Sequence, residues 1–247
     1  MLALLTKKSI KTQLIIFLVI FMSCLALSER EIRTLFPFAI TALSAVIAEA
    51  LLVALRTKKW RITESAIITG LIVGFVLSDR QPWWIYTAVS LLAIGSKHAI
   101  RYKGRHIFNP AAFGIVASML FLDANTQWKG TYQWYILLPA GLYFIYRIRK
   151  IELLFAYGIT ALGIFGAQAV VRDMSVANIF WYLSYFFIFI MLIEPKTTPF
   201  TRPGKVLFGI GVAVLIVIFT EADIRIDVEL SALLLVNMFV PLLNKWR

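Results

Sequence analysis

Two polar turns stand out in a very apolar sequence, because their side chains can donate and accept hydrogen bonds. The first, residues 97–114, contains His106 and the pair Asn109-Pro110. Asn is a preferred N-cap and Pro suits the first helical position, so this pair predicts a helix that begins at Pro110. The N-terminus of such a helix favours a phosphate, a carboxylate or a carbonyl-rich ring. An ordinary cytoplasmic loop that caps a helix is the alternative.

The second polar turn, residues 194–204, contains three prolines and three threonines and predicts a rigid, non-helical connector. Glu194 follows directly on an apolar run that predicts a helix. The dipole at the C-terminal end of a helix disfavours an acid, so Glu194 is expected to have a partner. A carboxylate solvated at the helix end is the alternative.

Glu49 is the acid most deeply embedded in apolar sequence, within residues 45–52. Acids inside a membrane are costly and usually face a partner or a cavity, which makes Glu49 a candidate for ion or proton movement. Arg56, seven residues later, offers a structural ion pair instead, and snorkelling is a further alternative.

The single cysteine, Cys24, allows neither an intramolecular disulfide nor a Cys-based metal site. Two histidines eight residues apart in one basic loop disfavour a bis-histidine haem, and no metal is expected.

The composition requires a lipid environment. Hydrophobic residues make up 60% of the 247 residues and charged residues 15%, with a mean hydropathy of +0.83. Soluble domains contain roughly 45–50% apolar and about 25% charged residues. We therefore predict an all-α polytopic membrane protein. The net charge of +12 comes from short basic clusters between apolar runs, which excludes nucleic acid as the expected partner.

Ten apolar segments separate at polar breaks. They cover residues 14–27, 35–55, 64–77, 83–96, 107–122, 133–146, 152–171, 176–193, 204–220 and 228–243. Several are shorter than the roughly 20 residues that a crossing needs, which predicts tilted, broken or half-helices. The first segment resembles a cleavable signal peptide, but the charge pattern favours its retention as a membrane segment.

Basic residues alternate between loops. One alternate set of loops contains 19 Lys and Arg residues and the other contains 6. Cytoplasmic loops are the richer ones, so both termini are predicted to be cytoplasmic and the loop 123–132 to be outside. Five segments lie on each side of that loop. The expected arrangement is a single membrane domain, 1–247, with inverted repeats at about 1–125 and 126–247.

Close helix packing is predicted at two groups of glycines. The first is Gly70 and Gly74, and the second, more loosely spaced, is Gly158, Gly163 and Gly166.

Four motifs in order resemble one family of membrane redox subunits. They are Ile-Thr-Gly-Leu at 68–71, Gly-Arg-His-Ile-Phe-Asn-Pro-Ala at 104–111, Glu-Pro-Lys-Thr-Thr-Pro at 194–199 and Val-Asn-Met-Phe-Val-Pro-Leu at 236–242. The family contains the B-type membrane subunit of the sodium-pumping NADH:quinone oxidoreductase and the D-type membrane subunit of the related Rnf electron transport complex. The order and spacing of the motifs agree with it over roughly residues 60–243.

This resemblance implies a ten-helix, urea-transporter-like fold in the inner membrane of a prokaryote. It also implies electron transfer through a flavin, coupled to Na⁺ or H⁺ movement, with other redox subunits or a cytoplasmic flavoprotein reductase as partners. The chain would be a subunit of a membrane oxidoreductase, not a stand-alone enzyme, and no catalytic residue is assigned. The family's non-covalent riboflavin site corresponds here to His106, which replaces an Asn, to Asn109 and to Glu194, which replaces an Asp. Its Thr-Gly-Leu half-helix brings Thr69 to the site.

An isoalloxazine ring also needs a flat apolar slot, for which Phe108 and Phe113 are the candidates. The family attaches a second flavin, FMN, covalently at a (Ser/Thr)-Gly-Ala-Thr motif in the outside loop. Here residues 123–131 contain Thr126 and Thr131 without that motif, so no covalent FMN is expected. Two functions stay open: a redox subunit with a non-covalent flavin (riboflavin or FMN), and a transporter or channel for a small solute without redox activity.

Overall fold

The computed structural model describes residues 8–173, 175, 180 and 183–246. These residues belong to two compact units. Unit 1 comprises the described residues of Met1–Ile100 and of Pro110–Gly130. Unit 2 comprises the described residues of Arg101–Asn109 and of Thr131–Arg247. Two boundaries between the units therefore fall within the first polar turn, directly before Arg101 and directly before Pro110.

Unit 1 is helical. Its elements are α1 (Ile10–Glu29), a 3₁₀ turn (Ile32–Thr34), α2 (Leu35–Thr57), α3 (Glu64–Val76), α4 (Trp83–Ala99) and α5 (Pro110–Leu122). The short helix α3 lies at the centre and packs against α1, α2, α4 and α5. Helix α5 begins at Pro110, as the Asn-Pro pair predicts.

Unit 2 begins with a small hairpin. Strands β1 (Arg101–Tyr102) and β2 (Arg105–His106) pair antiparallel, with Arg101 opposite His106. The elements that follow are α6 (Trp134–Ile148), α7 (Ile151–Val171), a π-helix (Phe187–Met191), α8 (Arg202–Glu221) and α9 (Val228–Leu243). Helix α8 packs against α7 and α9.

The described helices establish a multi-pass membrane protein. Four helical spans are long and apolar enough to cross a membrane: Ile10–Glu29, Ile32–Thr57, Ile151–Val171 and Arg202–Glu221. By contrast, α3 and α5 have 13 residues each, or about 20 Å of rise against a hydrocarbon core of roughly 30 Å. Nine of the ten predicted segments coincide with α-helices of the described residues. The tenth, 176–193, lies partly outside them and ends in the π-helix. The count of ten crossings, the inverted repeats and the cytoplasmic termini stay predictions.

The first glycine motif packs as predicted. A Cβ on Gly70 would lie 2.5 Å from Ala42 Cα, and one on Gly74 would lie 2.6 Å from Phe38 Cδ1. Both glycines therefore let α3 approach α2 closely. The prediction is wrong for Gly158 and Gly163, where a Cβ would meet no atom within 4 Å among the described residues.

The end of α3 is completed by the loop that follows α5. The carbonyls of Phe75 and Val76 accept hydrogen bonds from the backbone N–H groups of Lys129 at 2.7 Å and Gln127 at 2.8 Å. These carbonyls lack partners within their own helix, so a distant loop satisfies them. The same arrangement buries Lys129, whose ammonium lies 5.5 Å from the centre of the Phe38 ring. Burial lowers the pKa of Lys129.

Candidate functional site

A buried histidine and an acid meet at the base of the hairpin in unit 2. His106 Nε2 lies 3.3 Å from Glu194 Oε1, and the two side chains are 5% and 25% exposed. Thr197 Oγ1 donates to Glu194 Oε2 at 3.2 Å, and Thr198 Oγ1 donates to the Glu194 carbonyl at 2.8 Å. Glu194 thus has the partners that its position after an apolar helix requires.

Asn237 connects the two polar turns within unit 2. Its Oδ1 accepts from the backbone N–H of Asn109 at 3.0 Å, and its Nδ2 donates to the Thr197 carbonyl at 3.0 Å. Asn237 is fully buried. A continuous chain of contacts therefore runs from Asn109 through Asn237 and Thr197 to Glu194 and His106. We call these five residues the polar junction.

The π-helix supplies a further contact to this junction. Asn109 Nδ2 donates to the Met191 carbonyl at 3.4 Å, where the wide turn Phe187–Met191 ends. π-turns are rare and occur often at functional sites. The amide donor of Asn109 is therefore engaged within the protein, although the sequence suggested it as a ligand contact.

The predicted flavin residues are divided between the two units. His106, Phe108, Asn109 and Glu194 belong to unit 2, whereas Thr69 and Phe113 belong to unit 1. Thr69 is buried in α3, and its hydroxyl donates to the Ser65 carbonyl at 2.9 Å, a bond local to the helix. The sequence analysis does not identify Asn237 as a site residue. Its sequence signal is an amide within an apolar segment, in the motif at 236–242.

A cavity of ≈ 310 Å³ opens beside the polar junction. His106 contributes to its lining, together with the apolar side chains of Ile107, Phe200, Val240 and Pro241. Asn244, after the end of α9, adds an amide. The cavity thus combines an apolar wall with a few hydrogen-bonding groups, which is the usual make-up of a site for a small molecule.

Glu49 lies in unit 1 and forms a buried cluster. Its carboxylate lies 2.7 Å from Lys97 Nζ and 2.9 Å from His98 Nε2, and Thr63 Oγ1 donates to it at 3.2 Å. The Lys97 and Glu49 side chains are 9% and 4% exposed. We call Glu49, Lys97 and His98 the buried triad. The arrangement is that of a satisfied ion pair, and ion or proton movement through Glu49 stays a prediction.

Three predictions from the sequence are wrong here. Arg56 does not pair with Glu49, because its guanidinium donates to the His98 carbonyl at 3.2 Å instead. Lys97 is not a loop residue, since α4 continues to Ala99. The two histidines are also not in one loop: His98 lies in α4 and His106 in β2, and each contacts an acid.

Two further lysines, Lys150 and Lys205, are also buried. Lys150 Nζ donates to the Pro199 carbonyl, and Lys205 Nζ donates to the Arg149 carbonyl at 2.7 Å and to Glu152 Oε2 at 3.1 Å. Burial, followed by the charge of Lys205, lowers the pKa of Lys150 to about 7. These lysines join the start of α7 to the second polar turn and to α8.

The fold and the site define a helical membrane protein in which short apolar helices accompany buried polar clusters. The chain belongs to the NQR2, RnfD, RnfE family, whose sequence model matches residues 5–132 and 120–247. This confirms the family that the four motifs resemble.

The alignments with two curated relatives cover part of each protein's length. A protein of Salmonella paratyphi A (strain ATCC 9150 / SARB42), named as the D-type subunit of an ion-translocating oxidoreductase complex, is 30% identical over 107 residues. That alignment covers 40% of this chain and 30% of the relative. The protein of the same name from Escherichia coli (strain SMS-3-5 / SECEC) is 28% identical over 135 residues, which are 53% of this chain and 37% of the relative. The aligned stretches thus span about a third of these relatives.

Proposed function

We propose that this protein is a membrane subunit of an ion-translocating redox complex and that it holds a flavin, without a covalent bond, at the polar junction. Family membership and the names of the relatives support the class of complex. The observation that supports the flavin site is the His106–Glu194 contact, at 3.3 Å, at the edge of a cavity with an apolar wall.

The residues present fit a flavin. Its ring needs an apolar slot, which we assign to Phe200 and Ile107 of the cavity lining. The predicted slot residues, Phe108 and Phe113, are not part of that lining. The polar edge of the ring needs donors and acceptors. His106 can act as either according to its tautomer, and the partly exposed carboxylate of Glu194 accepts. A bound flavin supplies one- and two-electron chemistry, while these side chains bind the ring and orient it.

The partners follow from the same proposal. A subunit that carries electrons through the membrane requires a donor and an acceptor, which we assign to other redox subunits or to a cytoplasmic flavoprotein reductase. Lipid surrounds the apolar helices. The location is the inner membrane of a prokaryote, with the polar junction on the cytoplasmic side according to the loop charges.

Flavin content after gentle purification in detergent tests the proposal. Glu194→Ala removes the partner of His106 and an acceptor for the flavin, and a hydrogen bond to a charged group contributes roughly 1.5–3 kcal/mol. We therefore expect the flavin to bind at least about tenfold more weakly. Glu221→Ala is the matched control, because Glu221 forms an exposed ion pair with Arg172 and should leave the flavin content unchanged.

The state of the cofactor provides the second readout. Acid should release all flavin, and the polypeptide should show no fluorescent band on a denaturing gel. A fluorescent band would contradict non-covalent binding. Folded wild-type protein that is colourless and binds neither added riboflavin nor FMN would exclude the redox role and leave the transporter as the better function.

A further inference from the structure

The cavity beside His106 has a strongly basic rim. Lys103 and Arg105 reach it from the hairpin, Lys196 from the second polar turn, and Lys245 from the residues after α9. Among the described residues that line it, none is acidic. Three separate segments of unit 2 therefore bring four cationic side chains to the lining of one cavity, whose volume is ≈ 310 Å³.

The lining of this cavity also contains apolar residues. They are Phe200, Val240, Pro241 and Ile107, the residue after β2. A simple inorganic anion would use only the basic rim and leave these apolar side chains in contact with water. The combination favours a ligand with an anionic group at one end and an apolar or aromatic body at the other.

We infer that this cavity binds the phosphate group of an amphiphilic organic phosphate, whose apolar part lies against Phe200. A phosphate presents several acceptor oxygens and up to two negative charges, so it can contact several cations at once, and Arg105 can bind it through two parallel hydrogen bonds. Two ligands have this chemistry: an FMN, through its ribityl phosphate, and an anionic phospholipid of the cytoplasmic leaflet, through its headgroup.

This inference does not depend on the proposed flavin site, since a phospholipid would satisfy it without any flavin. If the ligand is FMN, the inference specifies the flavin, because riboflavin lacks the phosphate. Basic loops also arise from membrane topology alone. Cations that are present only because of topology need not bind a ligand together. A control variant that removes exposed cations outside the cavity therefore distinguishes a binding site from an effect of topology.

The test compares two double variants. Lys103→Gln/Lys245→Gln removes two charges from the cavity rim, where both residues are exposed. Lys58→Gln/Lys59→Gln is the matched control. It removes two exposed charges from the loop after α2, and Lys58 has a positive φ of 55°, close to the 46° of Lys103.

Two binding measurements are made on purified wild type and both variants. The first is the ratio of dissociation constants for riboflavin and FMN, by calorimetry. The second is the retention of phosphatidylglycerol relative to phosphatidylcholine with the same acyl chains, by native mass spectrometry. We expect a preference of about tenfold or more for the anionic member of at least one pair, the effect of a charge-assisted hydrogen bond. The cavity variant should lose this preference and the control should keep it.

The two measurements identify the source of the phosphate. A preference for FMN assigns the cavity to the flavin. A preference for phosphatidylglycerol with equal binding of both flavins assigns the four cations to lipid, while the flavin binding itself still supports the proposed function. The same lipid preference without any flavin binding would contradict the proposed function but support the cavity. Equal binding within both pairs, or equal loss of preference in both variants, would overturn the inference.

Discussion

Removing the ammonium of Lys97 should destabilise the protein more than removing it together with the carboxylate of Glu49. The two groups are 2.7 Å apart, and both side chains are at least nine-tenths buried. Lys97→Met keeps most of the length and the apolar stem of the side chain but leaves the Glu49 carboxylate without its strongest partner. Glu49→Gln/Lys97→Met removes both charges, so no unpaired charge is left in the interior.

Breaking a buried ion pair from one side typically costs about 3–5 kcal/mol, whereas replacing both members is often neutral. His98, at 2.9 Å, and Thr63, at 3.2 Å, still contact Glu49 in the single variant, so we expect a value near the lower end. In a chain of this size, 1 kcal/mol shifts the melting temperature by roughly 2–4 °C. Lys97→Met should therefore lower it by about 6–12 °C.

Thermal unfolding in detergent, followed by tryptophan fluorescence, measures these differences, with Lys59→Met as the control at an exposed lysine. The double variant should unfold within about 4 °C of the wild type, the shift that corresponds to about 1 kcal/mol. If the double variant is destabilised as much as Lys97→Met, the argument from unpaired charge is refuted. If it is stable but the proposed complex no longer moves an ion or a proton, Glu49 has a role beyond structure.

Three further predictions concern packing, pH and topology. Gly70→Ala should lower the free energy of unfolding by roughly 1–3 kcal/mol, because its Cβ would overlap the backbone of α2. Gly158→Ala should not destabilise the protein, because its Cβ would meet no described atom within 4 Å. Thermal unfolding compares the two variants. Burial lowers the pKa of Lys150 to about 7 from 10.5, so the folded chain holds fewer protons than the unfolded chain between these values. The melting temperature should therefore rise from pH 7 towards pH 10, and Lys150→Met should flatten the rise. In a Cys24→Ser background, Lys103→Cys and Asn125→Cys should react with an impermeant thiol reagent from opposite sides of sealed cells; reaction of both from outside would contradict the predicted topology.

Local sequence predicted the helices well, because apolar runs and an Asn-Pro pair act within a few residues. It did not predict the partner of Glu49. Arg56 is near in sequence, but Lys97, 48 residues away, is near in space because α2 and α4 pack together. Counting every lysine as a loop residue also failed for Lys97, which is buried against an acid. The count measures the number of charges and contains no information about what covers them.

The polar junction shows the same limit. The sequence identified its two turns, and the acid and histidine in them, because polar residues are conspicuous in an apolar chain. Asn237 stood out only as part of a motif, since nothing local shows that its amide reaches the backbone at Asn109 and Thr197. The fold brings these positions together across 128 and 40 residues of chain.

The cap on α3 has a consequence for how this protein is made. The last carbonyls of α3 are satisfied by residues 127–129, which the ribosome synthesises only after α4, the hairpin and α5. Until then, α3 is a helix too short to cross the bilayer, with C-terminal carbonyls that residues 127–129 do not yet cover. It is therefore expected to wait at the membrane surface or within the translocon until α5 and its loop arrive. Membrane insertion of unit 1 would then be a late and concerted event, in contrast to the stepwise entry of independent helices.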